Sequence, residues 1–285
     1  MSWQKYTLCF RLLSPLHIGY RKVGNLMQTR GYVPGKVLWA ALTARLTRDF
    51  HHRPKGHCYV TIGESVHDTF RFGYLYPALK RGESYEYHYP WEENFDYLFL
   101  DSHASTALNY EQQAAAQGQL HETEFIRPWT RLLSETRESQ SVYLIGDLYV
   151  RDEPKQDLTN WRIALSHVQL GGERGYGWGR VQLASKLSGT PLSGEPVATL
   201  INDRIIAHLK TDKSFSLHGS IEPLVGWERN NAQNRGNNWH LSKAMICYTP
   251  GSITKTDSIF NIGPYGIWES QKPFKIKTLN SKMKK

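Results

Sequence analysis

A glycine-rich stretch constrains the fold of this chain more than any other part of its sequence. Residues 170–181 have the sequence LGGERGYGWGRV, in which five glycines fall within nine positions. This density of glycine favours tight turns with accessible backbone N–H groups. The stretch follows a helical pattern and precedes a strand pattern. A P-loop would end in Gly-Lys-Ser/Thr, and a dinucleotide-binding glycine loop would follow a strand, so both of those folds are excluded.

The patterns around this stretch predict alternating strands and helices. Strand-forming residues end at Ser14-Pro15, and apolar residues recur at helical spacing after Pro34-Gly35. In chain order we predict a strand at 6–13, a helix from Lys36, short strands at 58–62 and 70–76, a strand at 142–150, a helix at 158–170 with Thr159 as its N-cap, and a strand at 178–183.

Residues 80–140 form a predicted insertion that is acidic and rich in tyrosine. Its small-residue stretch at 104–119 predicts a short helix. We expect its aromatic side chains to serve local packing or protein contacts, because neighbouring carboxylates repel phosphates. These side chains are Tyr85, Tyr87, Tyr89, Trp91, Phe95 and Tyr97.

Without the insertion, the element order is close to the βαββαβ order of a ferredoxin-like (RRM-like) fold, of class α+β. We expect this domain to span 1–187, and a Ser/Gly/Pro-rich linker at 188–196 to end it. Residues 197–270 predict a second β-rich domain, with strands near 216–221 and 244–248. It is either a degenerate ferredoxin-like domain or an unrelated β cap.

The positive charge is concentrated at the two ends of the chain. The chain has 35 Lys/Arg and 26 Asp/Glu, and residues 1–55 contain ten of the basic residues with Asp49 as their only acid. Residues 271–285 contain six Lys and no acid, and we expect them to be a disordered basic tail. Such blocks favour nucleic acid as a partner, although exposed helix and tail surfaces would also account for them.

Composition excludes several classes of protein. Hydrophobic residues make up 40% of the chain, which argues against a disordered or fibrous protein, and no apolar run is long enough to span a bilayer. The three cysteines, Cys9, Cys58 and Cys247, are far apart and form no Cys-x-x-Cys. Together with an N-terminus unlike a secretory signal, they predict reduced thiols in the cytoplasm and no membrane partner.

Two loops are candidates for binding phosphate and bases. In the glycine-rich stretch, backbone N–H groups with Arg174 and Arg180 suit a phosphate chain, and Tyr176 and Trp178 suit stacked bases. The other candidate is the loop after the first strand, with SPLHIG at 14–19. A ferredoxin-like fold can bring both loops to one region. Close packing of helix and strand would explain the glycines equally well, and His17 could bind a backbone group instead of a ligand.

In three of its motifs the sequence resembles the RAMP superfamily of CRISPR-associated proteins. The resemblance rests on SPLHIG after the first strand, YVPGKVLWAALTARL at the first helix, and GGERGYGWGRV before the last strand of the domain. It covers about 4–50 and 142–184. The family's usual second motif has Ser or Thr after Pro-Gly, whereas this chain has Lys36-Val37.

The resemblance implies that the chain binds CRISPR guide RNA and assembles with other subunits, most plausibly in a type III effector complex. By position, the family's RNA-facing glycine loop corresponds to Gly171, Gly172, Gly175, Gly177 and Gly179, with Arg174 and Arg180. His17, Arg21, Lys22, Arg30 and Lys36 would line the neighbouring groove. No cofactor is implied.

Catalysis remains open at this level, and absence of activity is favoured. Family members that cut target RNA use an aspartate in the loop after the first strand, and this chain has no acid before Asp49. Members that process guide RNA use a metal-free acid–base mechanism, for which His51 and His52 are candidates. In those processing members the glycine loop lies close to the C-terminus, whereas about 105 residues follow it here, which argues against that role. His-His-Arg-Pro-Lys is equally consistent with a basic segment that follows the helix and contacts phosphates. The spacing of His103, His121, Glu122 and Glu124 matches no metal motif. A general RNA-binding module outside CRISPR biology is the third interpretation.

Overall fold

The computed structural model describes residues 2–132, 138–152, 154, 156–211, 217–229, 239–241, 244–254 and 259–270. The basic tail predicted at 271–285 lies outside these residues, as does the first residue of the strand predicted at 216–221.

Four helices and twelve strands are described up to Leu183. They are β1 (Trp3–Leu12), β2 (Gly19–Val23), β3 (Leu26–Thr29), α1 (Gly35–Phe50), α2 (Gly56–Thr69), β4 (Phe70–Phe72), β5 (Tyr76–Arg81), β6 (Ser84–Tyr87), α3 (Phe95–Phe99), β7 (Leu100–Ser105), β8 (Leu108–Asn109), β9 (Ala114–Ala115), β10 (His121–Ile126), β11 (Tyr143–Arg151), α4 (Trp161–Leu165) and β12 (Val181–Leu183).

Further strands, and no α-helix among the described residues, follow β12. They are β13 (Thr190–Leu192), β14 (Val197–Ala198), β15 (Leu209–Lys210), β16 (Ile221–Leu224), β17 (Trp227–Arg229), β18 (Trp239–Leu241), β19 (Met245–Tyr248), β20 (Phe260–Ile262) and β21 (Trp268–Ser270).

The central sheet has the strand order β12-β1-β11-β5-β6, and each neighbouring pair is antiparallel. Helix α1 lies in the connection from β1 to β5, and α4 lies in the connection from β11 to β12. Four strands in the order 4-1-3-2 with two helical crossovers make a ferredoxin-like fold. The predicted α+β fold class is therefore confirmed, as is the β-rich character of the region beyond it.

Side-chain alternation along β1 divides the sheet into a helix-covered face and an opposite face. Leu8, Phe10 and Leu12 are buried in one apolar cluster with residues of the helices, such as Leu42. Burying each such side chain contributes about 1.5–3 kcal/mol. The intervening residues of β1 point to the other face, as the two-residue period of a strand requires.

A second sheet packs against part of that other face. Its strand order is β14-β20-β21-β15-β19-β16. Trp3, Tyr76 and Tyr149 of the central sheet share an apolar cluster with Phe260 and Trp268 of the second sheet. In addition, the Tyr76 hydroxyl donates a hydrogen bond to the carbonyl oxygen of Ile206, at 2.7 Å. The two sheets therefore form adjoining layers.

The insertion folds onto the connection between β1 and α1. That connection, in which no strand was predicted, contains the β2–β3 hairpin. β10 of the insertion pairs with β3 in parallel and with β7 antiparallel, which completes a four-stranded sheet. Two of the insertion's aromatic residues pack locally, as we expected. Phe95 is buried, and the ring centroid of Tyr89 lies 4.9 Å from that of Trp91.

Two predicted elements are wrong in kind. Residues 58–62 belong to helix α2 and not to a strand, because Cys58, Ile62 and Val66 lie on one buried helix face at four-residue spacing. The stretch 104–119 forms the end of β7 and the β8–β9 pair and not a helix. None of the residues of this stretch is buried, and its apolar residues are mostly alanine, so a helix there would have no strong apolar face to bury.

The second predicted crossover helix is shorter than its apolar pattern suggested. It spans Trp161–Leu165, after a 3₁₀ turn at Gln156–Leu158. The residue before the helix is Asn160, and Thr159 uses its hydroxyl to bind the carbonyl oxygen of Gln156. The predicted N-cap at Thr159 is therefore wrong by one residue.

None of the helices in the described part of the chain is long and apolar enough to cross a membrane.

Replacing Gly35, the first residue of α1, with Ala should destabilise the protein. Ala favours a helix interior over Gly by up to about 1 kcal/mol, but a Cβ at Gly35 would lie 2.6 Å from the Phe72 carbonyl oxygen and overlap that of Tyr265. Because both neighbours are backbone atoms, the clash should dominate, and we expect a loss of about 1–3 kcal/mol in the free energy of unfolding.

Denaturant titration measures this loss. Gly175→Ala is the matched stability control, because a Cβ there meets no atom within 4 Å. Equal stability of the two variants would contradict the close approach at Gly35.

Candidate nucleic-acid interface

Backbone hydrogen bonds join the glycine-rich stretch to the loop after β1. The Gly172 N–H donates to the carbonyl oxygen of His17 at 2.9 Å, and the Gly179 N–H donates to that of Pro15 at 2.7 Å. The Arg180 N–H donates to the Ser14 hydroxyl at 2.9 Å. The structure thus brings together the two loops that the sequence singled out.

The glycines of this stretch divide into two groups. Gly171 and Gly179 have φ of +74° and +75°, and a Cβ on either would overlap a carbonyl oxygen, that of His17 or Leu170. These two positions require glycine for close packing. Gly175 and Gly177 lie at the exposed tip, where a Cβ would meet nothing within 4 Å. Only the tip offers open backbone to a ligand.

The aromatic residues of the stretch differ in the same way. Tyr176 is 84% exposed and stands free at the tip. Trp178 is half-buried, and its ring centroid lies 5.0 Å from that of Phe125 in β10. Tyr176 is therefore available for stacking on a base, whereas Trp178 fixes the stretch to the insertion.

His17 also has a structural contact. Its ring is buried, and Nδ1 lies 2.7 Å from the carbonyl oxygen of Glu124 in β10. The Glu124 carboxylate in turn accepts a hydrogen bond from the Thr29 N–H at 2.8 Å. This contact matches the predicted alternative in which His17 binds a backbone group instead of a ligand.

A cleft of about 630 Å³ opens between the glycine-rich stretch, helix α1 and the second sheet. Five of the residues predicted to bind RNA line it, and none of its described lining residues is Asp or Glu. The five are Arg30, Lys36, Gly171, Gly172 and Arg174. The cleft therefore sets basic side chains beside a lining that is otherwise mostly apolar.

Arg30 differs from the other cations of the cleft because it is held in an ion pair. Its guanidinium binds Glu222 of β16 through two hydrogen bonds, at 2.8 and 3.2 Å, and donates a third to the Tyr32 hydroxyl at 3.0 Å. Both partners of the pair have only 15% of their side-chain surface exposed. Arg30 thus links the end of β3 to the second sheet.

His208 extends this ion pair into the cleft wall. Its Nε2 binds the Glu222 carboxylate, and its Nδ1 lies 2.6 Å from the Tyr74 hydroxyl. Burial lowers the pKa of His208 from its ordinary value, although Glu222 opposes the shift. Burial alone would raise the pKa of Glu222, but hydrogen bonds from His208 and Arg30 lower it to about 2. Glu222 is consequently a carboxylate and His208 is neutral at pH 7.

Lys36 and Arg174 remain as cations that face the cleft without an acidic partner in the described structure. Lys36 lies at the start of α1, with its Nζ 6.0 Å from the centroid of the Tyr265 ring. Arg21 and Lys22 lie on the exposed β2 strand, where Arg21 donates to Gln28 at 2.7 Å. Arg180 is exposed at the start of β12.

A second cavity of about 600 Å³ continues from Arg174 along α1. Arg45, Arg48 and His167 line it, although none of them was predicted to lie at the interface. The available signal for Arg48 was helical spacing, since it follows Ala44, which also lines the first cleft, by four residues and so lies beside it on α1.

His51 and His52, the alternative catalytic residues, are separated from the cleft. They follow the last residue of α1, about 22 Å along the helix axis from Lys36. The His51 ring packs on Phe50, with centroids 5.0 Å apart. Neither histidine lines the cleft. No group of three or more His, Cys, Asp or Glu that could hold a metal ion occurs within the described ranges.

Acid should weaken the link between the two layers. Because both His208 and Glu222 have lowered pKa values in the folded state, the unfolded chain takes up protons first as the pH falls. Stability should decrease below about pH 6.5 through His208, and again from pH 4.5 toward about 2 through Glu222.

Glu222→Gln tests this link, since it leaves Arg30 buried without its acid. We expect a loss of about 3 kcal/mol in the free energy of unfolding at pH 7 and a flatter profile below pH 4.5, measured by denaturant titration across pH. Glu269→Gln, which removes an exposed partner of Lys210, is the control and should change stability by less than about 1 kcal/mol. A Glu222→Gln protein as stable as the parent at pH 7 would show that the pair adds nothing.

No protein-family model matches the chain, and no curated protein matches it. Among solved structures, it is similar to a chain of the apo state of a type III-B Cmr-beta complex, with 9% identity over 64% of this chain and 96% of the other, at a TM-score of 0.40. It is also similar to a chain of type III-B Cmr-beta bound to cognate target RNA and AMPPnP, with 13% identity over 87% of this chain and 85% of the other, at a TM-score of 0.47.

Proposed function

We propose that this chain is a guide-RNA-binding subunit of a type III CRISPR effector ribonucleoprotein and that it holds the RNA without cutting it. The observation that carries the proposal is the cleft, where the glycine-rich stretch and the loop after β1 meet beside Lys36 and Arg174. The sequence motifs that resemble those of the RAMP superfamily include both of these loops and the start of α1.

The geometry suits a single-stranded polyanion. The exposed tip at Gly175 and Gly177 allows a sugar-phosphate backbone to approach the main chain closely. Arg174 can donate two parallel hydrogen bonds to one phosphate, and Lys36 supplies a point charge across the cleft. Tyr176 offers a ring on which any base can stack. Together these groups grip a strand with little dependence on its sequence.

The residues of the cleft support holding over cutting. Metal-assisted cleavage needs oxygen ligands near the scissile phosphate, and no carboxylate is among the described lining residues. His208, a histidine in the wall, has both ring nitrogens engaged, by Tyr74 and Glu222. Acid–base cleavage needs a group free to exchange a proton with the RNA. The distant His51 and His52 do not supply one at this cleft.

Within an effector complex we assign the chain a position at the 5′ end of the guide RNA, which suits a subunit without the cutting aspartate. Residues 1–187 and 197–270 would act as two domains of one subunit. The insertion and the second domain would contact sibling subunits, and exposed apolar side chains such as Tyr97 and Leu108 are available for such contacts.

Replacing Arg174 and Arg180 together with Ala should weaken binding of guide RNA at least about tenfold. Each phosphate contact on a single strand contributes about 0.7 to the slope of log affinity against log salt, so losing two should make the slope shallower by about 1.4. Fluorescence anisotropy with a repeat-derived RNA across a salt series measures both quantities.

The matched control is Arg81→Ala with Lys210→Ala, which removes the same charge from two exposed sites outside the cleft. An Arg174/Arg180 variant that binds like this control would overturn the proposed site.

Sequencing the RNA that copurifies with the protein from its native host tests the role itself. Guides with one uniform repeat-derived 5′ end, together with sibling subunits, support it. Cut precursor guide RNA that copurifies without sibling subunits favours a processing nuclease. RNA without repeat sequence favours a general RNA-binding module.

A further inference from the structure

The second sheet leaves part of the central sheet uncovered. It packs over Trp3, Tyr76 and Tyr149, whereas Thr7, Cys9 and Ile145 on the same face lie at a concavity of about 440 Å³. This concavity is on the face opposite the helices, apart from the cleft, and no lining residue is common to the two.

The lining of this concavity combines aromatic rings, hydroxyl groups and cations. Tyr85 and Tyr87 of β6 form one wall, Thr7 lies on the floor, and no Asp or Glu is among the described lining residues. Tyr85 packs edge-on against Tyr143, with centroids 5.1 Å apart, and Tyr87 is 39% exposed. Burial raises the pKa of both tyrosines to about 12, so neither carries a negative charge at pH 7.

The opposite wall is an arch in the chain between β12 and β13. The Ala184 N–H still donates to the carbonyl oxygen of Cys9 at 2.8 Å, and pairing with β1 resumes where Thr190 meets Lys5. Between these points the chain leaves β1, and Ser185, Lys186 and Ser188 line the concavity. Lys5 is neutralised by Asp147 at 2.8 Å, but Lys186 is exposed and has no acidic partner in the described structure.

An exposed aromatic ring on a ferredoxin-like sheet, beside hydroxyl groups and a lysine without an acidic partner in the described structure, matches the chemistry of a nucleotide in single-stranded RNA. A base stacks on the ring, the hydroxyls bind its polar edge, and the lysine binds the phosphate. We propose that this concavity is a second RNA site, in which a base of the same strand stacks on Tyr87 and its phosphate meets Lys186.

This inference rests on the proposed function for its strand, and the chain provides a route between the two sites. Arg180 lies where the glycine-rich stretch meets the loop after β1, since its N–H donates to the Ser14 hydroxyl. Six residues of mostly extended chain lead from Arg180 to Lys186 and can span about 20 Å. A strand leaving the glycine-rich stretch can follow this edge of the sheet onto the uncovered face.

The experiment compares two lengths of labelled single-stranded RNA, about 4 and about 16 nucleotides, which bracket the footprint of a compact single-strand-binding domain. With the full-length protein, Tyr87→Ala and Lys186→Ala should each weaken binding of the longer RNA, and the tyrosine variant at least about fivefold. Tyr87→Phe should bind as the parent does, because it keeps the ring. Tyr110→Ala, which removes a tyrosine more exposed than Tyr87 and outside the concavity, should have no effect. Melting temperature confirms the folding of each variant.

The outcomes separate this inference from the proposed function. If the Arg174/Arg180 variant loses both RNAs while the Tyr87 and Lys186 variants bind both normally, the cleft stands and the second site is overturned. If the Tyr87→Ala and Lys186→Ala variants bind the short RNA normally but lose affinity for the longer RNA, both sites are supported. If Tyr87→Ala abolishes assembly with sibling subunits but leaves RNA affinity unchanged, the concavity is a protein interface and the inference is wrong.

Discussion

The candidate interface depends on the hydrogen bonds that fix the loop after β1. This short loop meets three separate parts of the chain within five residues. It accepts hydrogen bonds from Gly172 and Gly179, and Leu16 exchanges two with Ile126 of the insertion, at 3.0 and 2.8 Å. At its end, the Ile18 N–H donates to the Thr29 hydroxyl at 2.8 Å. One loop therefore sets the positions of the glycine turn, the insertion and the β2–β3 hairpin together.

Most of the central fold could be predicted because its elements have strong local signals. β1 and β11 are runs of strand-forming residues in which consecutive residues are buried on both faces, and α1 has apolar residues at helical spacing that form its buried face. Helix α2 was missed since its start, CYVTI, is rich in strand-forming residues, and its buried face appears only when Val66 is included. The Ala-rich stretch near β9 has high helix propensity, but without an apolar face the pairing with β8 prevailed.

The candidate site could be predicted as a place but not in its details. Strand order alone puts the loop after β1 beside the turn before β12, which is how the two loops were matched. The pairing of Arg30 could not be foreseen, because Glu222 lies 192 positions away and reaches it only through the packing of the two sheets. Arg45 and Arg48 were visible on α1, but which side of the helix faced the glycine turn required the three-dimensional structure.

The pairing of β1 has a consequence for synthesis on the ribosome. β1 emerges long before its partners β11, β12 and β13, of which the first in the chain begins at Tyr143. At about 5–20 residues per second, roughly 7 to 26 seconds of translation separate this strand from its first neighbour. During that interval YTLCFRLL is an apolar strand with two unpaired edges, exposed to aggregation or to a chaperone. Folding of the nascent chain thus waits for its middle, and the glycine turn is among the last parts of the domain to join.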